Sequence, residues 1–497
     1  MWRVKPLDEI LATAEQRTLR RSLGAVQLTL MGVGAVIGTG IFVLTAEAAQ
    51  KAGPGMMVSF VIAGGVCAVA ALCYAELAAM VPVAGSAYTY AYAVLGEAVA
   101  WLVGWALLME YALGASAVAV GWSGYVAGLL AHFTGFTIPL ALAAGPSGGG
   151  VFNLPAVVIV ALVTGLLIVG TRESAAVNAV LVAIKVVALV VFVVLTLPLI
   201  RGANFHPFTP RGWGDPLGRG GTGVLGAAAS IFFAYVGFDA VSTAAEETRD
   251  PQRNVPIGLI GALVICTVFY LLVAAGAIGA YGAQPVFAAD GRALAAGSLE
   301  LTRRCAEHAG PLPLVCSREA LAHVLRQVGH PLASDFLGLA AGFALPSVLL
   351  VVLFGQTRIA FAMARDGLLP KGLATIHPRF KTPWVVTLIT GAAVALAAAL
   401  LPVGKLADYS NSGTLFAFSV VAAAVLVLRL TDKARRRPFK APLLFLVAPA
   451  AIGGCLLLFL SLPIEAKLLF PAWSLLGLAV YFAYGFRKSA ERPAARQ

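Results

Sequence analysis

Apolar segments of about 20 residues, the length that crosses a hydrocarbon core of ~30 Å, recur along almost the whole chain. Of the residues, 60% are apolar and 12% charged, whereas soluble domains carry about 25% charged residues. So little charge cannot cover a water-soluble surface, and the expectation is an all-α polytopic membrane protein. The segments read as twelve spans at approximately 26–46, 55–80, 97–129, 152–170, 174–200, 222–245, 256–281, 334–364, 384–402, 411–430, 442–462 and 468–486.

The formal net charge of +12 raises the question of a polyanionic partner, but Lys and Arg also mark cytoplasmic loops. With the N-terminus inside, inside segments hold 23 of the 35 basic residues and outside segments 11, leaving Lys185 within a span. The charge therefore reports topology, with both termini cytoplasmic and no nucleic-acid partner. Residues 1–21 lack the apolar core and cleavage site of a signal peptide, so the first span is expected to direct insertion. Within them Leu7, Ile10, Leu11 and Ala14 recur at helical spacing opposite Asp8 and Glu9, the pattern of a short amphipathic surface helix or of a frayed tail.

Cys67, Cys73, Cys266 and Cys455 fall in spans, as small packing residues do. Cys305 and Cys316 fall in the long outside loop, about 282–333, where an oxidising compartment would let them pair. That loop reads as a small ordered cap or a variable insertion. The organisation is then a cytoplasmic segment at 1–21, a ten-helix core at 22–430 carrying the insertion, and two further helices with a basic tail at 431–497.

The first and sixth spans are interrupted. The first reads GVGAVIGTGIFVL from Gly32, and the sixth SIFFAYVGFDAVSTAAEE from Ser230. Two breaks five spans apart are the spacing of inverted halves whose broken helices meet at the bilayer midplane. Unwound backbone at that depth is tolerated only where it is buried in protein or lines a cavity. There, half-helix amides suit a carboxylate and freed carbonyls suit an ammonium group. Close helix packing is the competing explanation of the glycines, since Gly34 and Gly38 form a small-xxx-small face. A dinucleotide site is excluded, because the spacing is not GxGxxG and no strand precedes it.

Ionisable residues inside spans are functional candidates by default. Lys185 lies about a third of the way into the fifth span, where it either snorkels to the interface or takes part in function. Glu110 in the third span and Asp239 in the sixth are candidate cavity acids, with protonated packing groups as the alternative. The spans contain no metal-ligand cluster, no HExxH and no nucleophile with a base. All six histidines, His132, His206, His308, His323, His330 and His377, fall in loops or their margins. The chain is not expected to be an enzyme or to need a cofactor or metal.

Four segments in order, SLGAVQLTLMGVGAVIGTGIFVL from Ser22, GSAYTYAYAVLGE from Gly85, FFAYVGFDAVSTAAEETRDPQRNVPIG from Phe232 and GQTRIAFAMARDGLLP from Gly355, resemble the amino acid/polyamine/organocation (APC) superfamily. Within it they resemble bacterial members of the cationic amino acid transporter family. The resemblance implies the LeuT-like five-plus-five inverted repeat with two additional helices, alternating access, and coupling to protons or to substrate exchange.

Carried onto matching positions, it implies that the substrate α-carboxylate meets Thr39 and Gly40 beside Gly38. The α-ammonium meets carbonyls of Val36 or Ile37 and of Phe232 or Tyr235, and Ala234 and Val236 shape the side-chain pocket. It further implies that Lys185 stands where related transporters bind sodium, its amine on first-span carbonyls, with Ser347 as a weaker neighbour. Glu246 and Glu247 with nearby arginines, and the segment around Arg358, resemble an inside gate, or are ordinary solvated helix ends.

The expected function is secondary transport of amino acids across the cytoplasmic membrane, proton-coupled and sodium-independent. The resemblance implies cationic substrates, whereas the small apolar break residues suit neutral ones, so both classes stay open. The rivals are a polyamine or organocation permease, an amino-acid exchanger, and a sensor that binds amino acids without moving them.

Overall fold

The structure is a computed structural model that describes residues 23–81, 86–170, 175–245, 248–291, 293–308 and 310–488. The amphipathic pattern at 5–14 and the gate residues Glu246 and Glu247 lie outside the described residues. The principal helices are α1 Ala25–Val36, α2 Thr39–Phe42, α3 Leu44–Ala52, α4 Met56–Met80, α5 Ser86–Val94, α6 Glu97–Thr134, α7 Leu154–Val169, α8 Ala175–Thr196 and α9 Gly223–Ile231. They continue as α10 Ala240–Thr243, α11 Pro251–Tyr281, α12 Leu299–Glu307, α13 Ala320–Gln327, α14 Pro331–Arg365, α15 Trp384–Leu400, α16 Val403–Thr431, α17 Leu444–Ser461 and α18 Ile464–Val480. Among the described residues there are isolated bridges but no named strands.

Eight helical stretches are long and apolar enough to cross a membrane, and four shorter apolar helices, α1, α7, α15 and the stretch Gly223–Tyr235, accompany them. The protein is therefore a multi-pass membrane protein. Outward faces carry apolar side chains such as Val158, Leu162, Val190, Val264 and Leu396, because lipid, not water, is their solvent.

The axis of the bundle is α6, which packs most extensively against α14 and α16. It starts after Gly96 at φ 94° and stops at Gly135 in the left-handed region at φ 71°, conformations in which glycine lacks the Cβ penalty. The last helix is held to α6 by reciprocal indole bonds, from Trp105 Nε1 to the Trp473 carbonyl and from Trp473 Nε1 to the Trp105 carbonyl, both 2.8 Å. Elsewhere the Arg429 guanidinium donates to both oxygens of the buried Glu76 carboxylate, at 3.1 and 2.5 Å, and joins α16 to α4.

Two boundaries differ from the hydropathy reading for one reason. The helix after α15 begins at Val403 rather than near 411, and its first turns hold Asp408, Ser410 and Asn411, all buried. Polar residues turned toward the protein interior interrupt an apolar window without interrupting a helix. Likewise Lys51, which falls between the first two hydropathy spans, is a residue of α3 only 7% exposed.

The loop after α11 is an ordered cap. It contains α12 and α13, a small apolar cluster of Ala288, Leu294 and Leu301, and a disulfide between Cys305 and Cys316 with Cα atoms 5.5 Å apart. The cap hangs on α3 through Gln50. This fully buried side chain donates to the carbonyls of Val286 and Leu294 at 2.8 and 3.0 Å and accepts from the Val286 amide at 2.8 Å.

Candidate functional site

Both interrupted spans are broken. The first runs as α1 to Val36, becomes extended at Ile37 and Gly38, and resumes as helix at Thr39. The sixth runs as α9 to Ile231, tightens into a 3₁₀ turn over Phe232–Tyr235, becomes extended at Val236 and turns at Gly237 with φ 113°. That dihedral is open to glycine and strained for other residues.

The two breaks lie against each other. A Cβ built on Gly40 would fall 2.3 Å from Ala234 Cα, and one on Gly237 would fall 3.0 Å from the Ala35 carbonyl oxygen. Glycine at 40 is therefore required for the approach of the two chains and not only for flexibility. The small-residue face of Gly34 and Gly38 packs elsewhere, against Val182 and Val348, whereas Gly40 and Gly237 bring the two unwound segments together.

Freed carbonyls need donors. The Tyr270 hydroxyl of α11 lies 2.9 Å from the Val36 carbonyl and 2.7 Å from the Ala234 carbonyl, so one side chain serves both breaks. The Tyr125 hydroxyl of α6 donates to the Phe42 carbonyl at 2.8 Å. The Thr39 hydroxyl oxygen is buried with no hydrogen-bond partner among the described residues. An orphaned buried hydroxyl costs about 1–3 kcal/mol.

Val36, Ile37, Thr39, Gly40, Phe232, Ala234 and Tyr235 are buried around this junction, while Val236 is half-buried. Gly38 stands against α14, its Cβ position 3.5 Å from the Val348 side chain. The Tyr235 hydroxyl turns away to the Phe60 carbonyl at 3.0 Å.

Lys185 is 2% exposed and its ammonium donates to the Gly34 carbonyl at 3.0 Å. It does not snorkel to a surface; it sits on the backbone of α1 just before the break. Ser347 is buried in α14, with its hydroxyl bonded to the Ala344 carbonyl of its own helix at 2.8 Å.

Glu110 is 3% exposed, and its Oε2 has no hydrogen-bond partner among the described residues. Asp239, also buried, stands near enough to act on it electrostatically. Arg358 stacks on Phe354 one turn earlier in α14, at 4.6 Å from the ring centroid. A backbone bridge joins Leu23 to Thr248, and the Arg249 amide donates to the Leu23 carbonyl at 2.8 Å.

On the other side of the breaks is a charged cluster that hydropathy hid. The Lys51 ammonium donates to Asp408 Oδ2 at 2.7 Å and to the Ser230 hydroxyl at 2.5 Å. Ser230 in turn donates to Asp408 Oδ1. All three residues are at least nine-tenths buried, and Glu47, one turn before Lys51, has a buried Oε2 without a partner among the described residues. The cluster ties α3 to α9 and α16. Its only sequence signal was a carboxylate four residues from Lys51 and the polar run GKLADYSNS. Tyr270 was signalled by a hydroxyl deep in a span, which needs a polar partner.

Among the described residues no group of three or more His, Cys, Asp or Glu side chains is placed to hold a metal ion. The family model described as amino acid permease matches residues 23–482. The chain is 41% identical over 486 residues, covering 97% of each, to the branched-chain amino acid permease BcaP of Bacillus subtilis (strain 168). It is 40% identical over 492 residues, covering 98% of each, to the methylthioribose transporter of the same organism. It is 36% identical over 425 residues, 84% of this chain and 68% of the relative, to cationic amino acid transporter 9, chloroplastic, of Arabidopsis thaliana. These relatives are transporters, not enzymes, and the chain belongs to the amino acid permease family of the APC superfamily.

Proposed function

We propose that the protein carries amino acids across the cytoplasmic membrane by alternating access around the paired breaks, coupled to protons and independent of sodium. Twelve spans are proposed, the first ten forming the LeuT-like inverted repeat and the last two standing outside it, with both termini cytoplasmic. The eight long and four shorter apolar helices are consistent with that number.

The observation that carries the reading is the convergence of the two unwound segments on one buried junction, with Val36 and Ala234 presenting carbonyls to a shared hydroxyl. Each carbonyl has two lone pairs, so Tyr270 leaves acceptor capacity for a substrate ammonium. The Thr39 hydroxyl and the amides of the Thr39–Gly40 turn then receive the carboxylate. Ala234 and Val236 bound the side chain.

Lys185 takes the place of a coupling cation. Its charge is held by the Gly34 carbonyl, and loss of its proton loosens α8 from α1. The Lys51–Asp408 cluster acts as the outer closure, since α3 cannot swing from α9 and α16 until that pair separates. Glu110 and Asp239 form the acidic side of the cavity, and Arg358 belongs to the inner gate region.

Small neutral amino acids with branched side chains are the substrates this apolar junction fits, in keeping with the name of one relative. The second reading, a neutral solute other than an amino acid, comes from the relative named a methylthioribose transporter at almost equal identity. A labelled panel of leucine, arginine, agmatine and methylthioribose, given to proteoliposomes holding only this protein, separates the readings. Leucine uptake supports the proposal, agmatine or methylthioribose uptake without amino-acid uptake replaces it, and binding without uptake makes the protein a sensor.

A further inference from the structure

Outside the membrane core, the structure holds a cavity of about 680 Å³ between the cap and the segments 203–206 and 281–287. Its size falls in the range of small-molecule sites, roughly 300–1,000 Å³. The helix α12 turns one face to it. Arg304, Glu307 and His308 all line the cavity, and residues three and four apart share a helix face with Cβ atoms about 5–6 Å apart.

Neither Arg304 nor Glu307 makes an ion pair or side-chain hydrogen bond with the described residues. A guanidinium and a carboxylate side by side, each with free hydrogen-bonding capacity, match the two charges of a zwitterion. The Tyr281 ring and Phe287 supply an apolar wall for a side chain.

The wall opposite α12 is not an idle loop. Val286 lines the cavity, and both its amide and its carbonyl are bonded to the Gln50 side chain of α3 at 2.8 Å. Pro285, also in the lining, lies against the Gly53 turn that ends α3. The segment that would touch a ligand is thus the segment that holds the outer half of the first span, and the Cys305–Cys316 disulfide closes the chain on the cap side.

We infer that the cap cavity is a second binding site for zwitterionic amino acids, with the carboxylate on Arg304 and the ammonium on Glu307, and that its occupancy stiffens the Val286–Gln50 strap and thereby restrains α3. The inference rests on the transport reading for its outside location and its choice of ligand. Such a site would let the external amino acid slow the opening that admits it.

The test counts sites. Equilibrium binding of radiolabelled L-leucine to the full chain in lipid nanodiscs is measured beside leucine uptake in proteoliposomes, for the wild type, Arg304→Ala and Glu307→Gln. The expected result is two saturable sites per chain in the wild type, one in either variant, and uptake retained in both variants at low external leucine. In the wild type, filling the cap should also slow hydrogen exchange at the Val286 amide about fivefold, the lower end of ordinary coupling between sites, and Arg304→Ala should abolish that protection. One site in the wild type, or two sites in both variants, overturns the inference even when uptake is normal. Two sites, one of them sensitive to Arg304, without uptake in any form would keep the cap site and overturn the transport reading instead.

Discussion

A Cβ on Gly40 would stand 2.3 Å from the Cα of Ala234, a distance no pair of non-bonded carbon atoms sustains, so the meeting of the two broken spans depends on a missing methyl group. Gly40→Ala is expected to abolish uptake while the remaining helices stay folded. Gly114→Ala is the matched control. Its Cβ would meet Ser410 Oγ at 3.5 Å and Phe233 Cε2 at 3.6 Å, ordinary contacts, and uptake should remain within about twofold, as for a substitution that changes energy by less than ~0.5 kcal/mol. Initial rates in proteoliposomes and thermal melting of the purified variants separate a lost site from a lost fold.

Tyr270 joins Val36 and Ala234 through one hydroxyl. Tyr270→Phe keeps the ring contacts with Phe60 and Tyr235 but removes the single donor that the two buried carbonyls share, a penalty of about 1–3 kcal/mol. The breaks then lose their register, and the concentration for half-maximal uptake should rise roughly tenfold, since 1.4 kcal/mol is a factor of ten. An unchanged half-saturation concentration would assign Tyr270 to packing alone.

The Lys51–Asp408 pair is buried on both sides, so removing one partner strands the other charge, at about 3–5 kcal/mol. Asp408→Asn is expected to lower the melting temperature markedly. Lys51→Met combined with Asp408→Leu should recover most of the loss, because replacing both charges by apolar groups of similar size removes the desolvation penalty with the attraction. If the pair is the outer closure, the double variant should also expose a cysteine introduced at Thr39 to a membrane-impermeant thiol reagent faster than the same cysteine in the parent. Equal labelling would leave the cluster a purely structural tie.

The cap should soften in acid. Burial holds the His323 imidazole below its ordinary value of 6.5, with Arg326 acting in the same direction and the Leu312 carbonyl opposing. As the pH falls, the unfolded cap takes up this proton first. The stabilisation is therefore complete above pH 6.5 and is lost as the pH drops from there through the folded value. Burial raises the Glu319 carboxyl above its ordinary value of 4.5, opposed by Arg326 and His132 and reinforced by Asp335. That group works the other way, so its contribution shrinks as the pH rises above 4.5. Protection factors over residues 312–327, which allow for the slower intrinsic exchange in acid, should fall between about pH 7 and pH 5.5, and His323→Asn should remove the histidine part of that dependence.

How much of this was readable beforehand follows from physical range. Apolar length and glycine placement are local, so the spans and the breaks at Gly38 and Gly237 stood out from the chain itself. Lys185 stood out because a charge within an apolar run is rare wherever it points, yet its partner, Gly34, is 151 residues away. Tyr270, Lys51 and Asp408 were missed because their meaning lies in pairings across 234, 357 and 178 residues. Around Asp408 the polar neighbours also made helix look like loop. Gln50 gave no local sign that it carries the cap.

The central claim is that protonation of Lys185, seated on Gly34 at the edge of the first break, drives accumulation of an amino acid bound between the two broken spans. Proteoliposomes holding only this protein, loaded with an inward proton gradient or an inward sodium gradient, measure it most directly through the accumulation of labelled leucine. The account predicts accumulation driven by the proton gradient alone, and in Lys185→Ala residual binding or exchange without proton-driven accumulation. Sodium-driven accumulation, or proton-driven accumulation undiminished in Lys185→Ala, would contradict it.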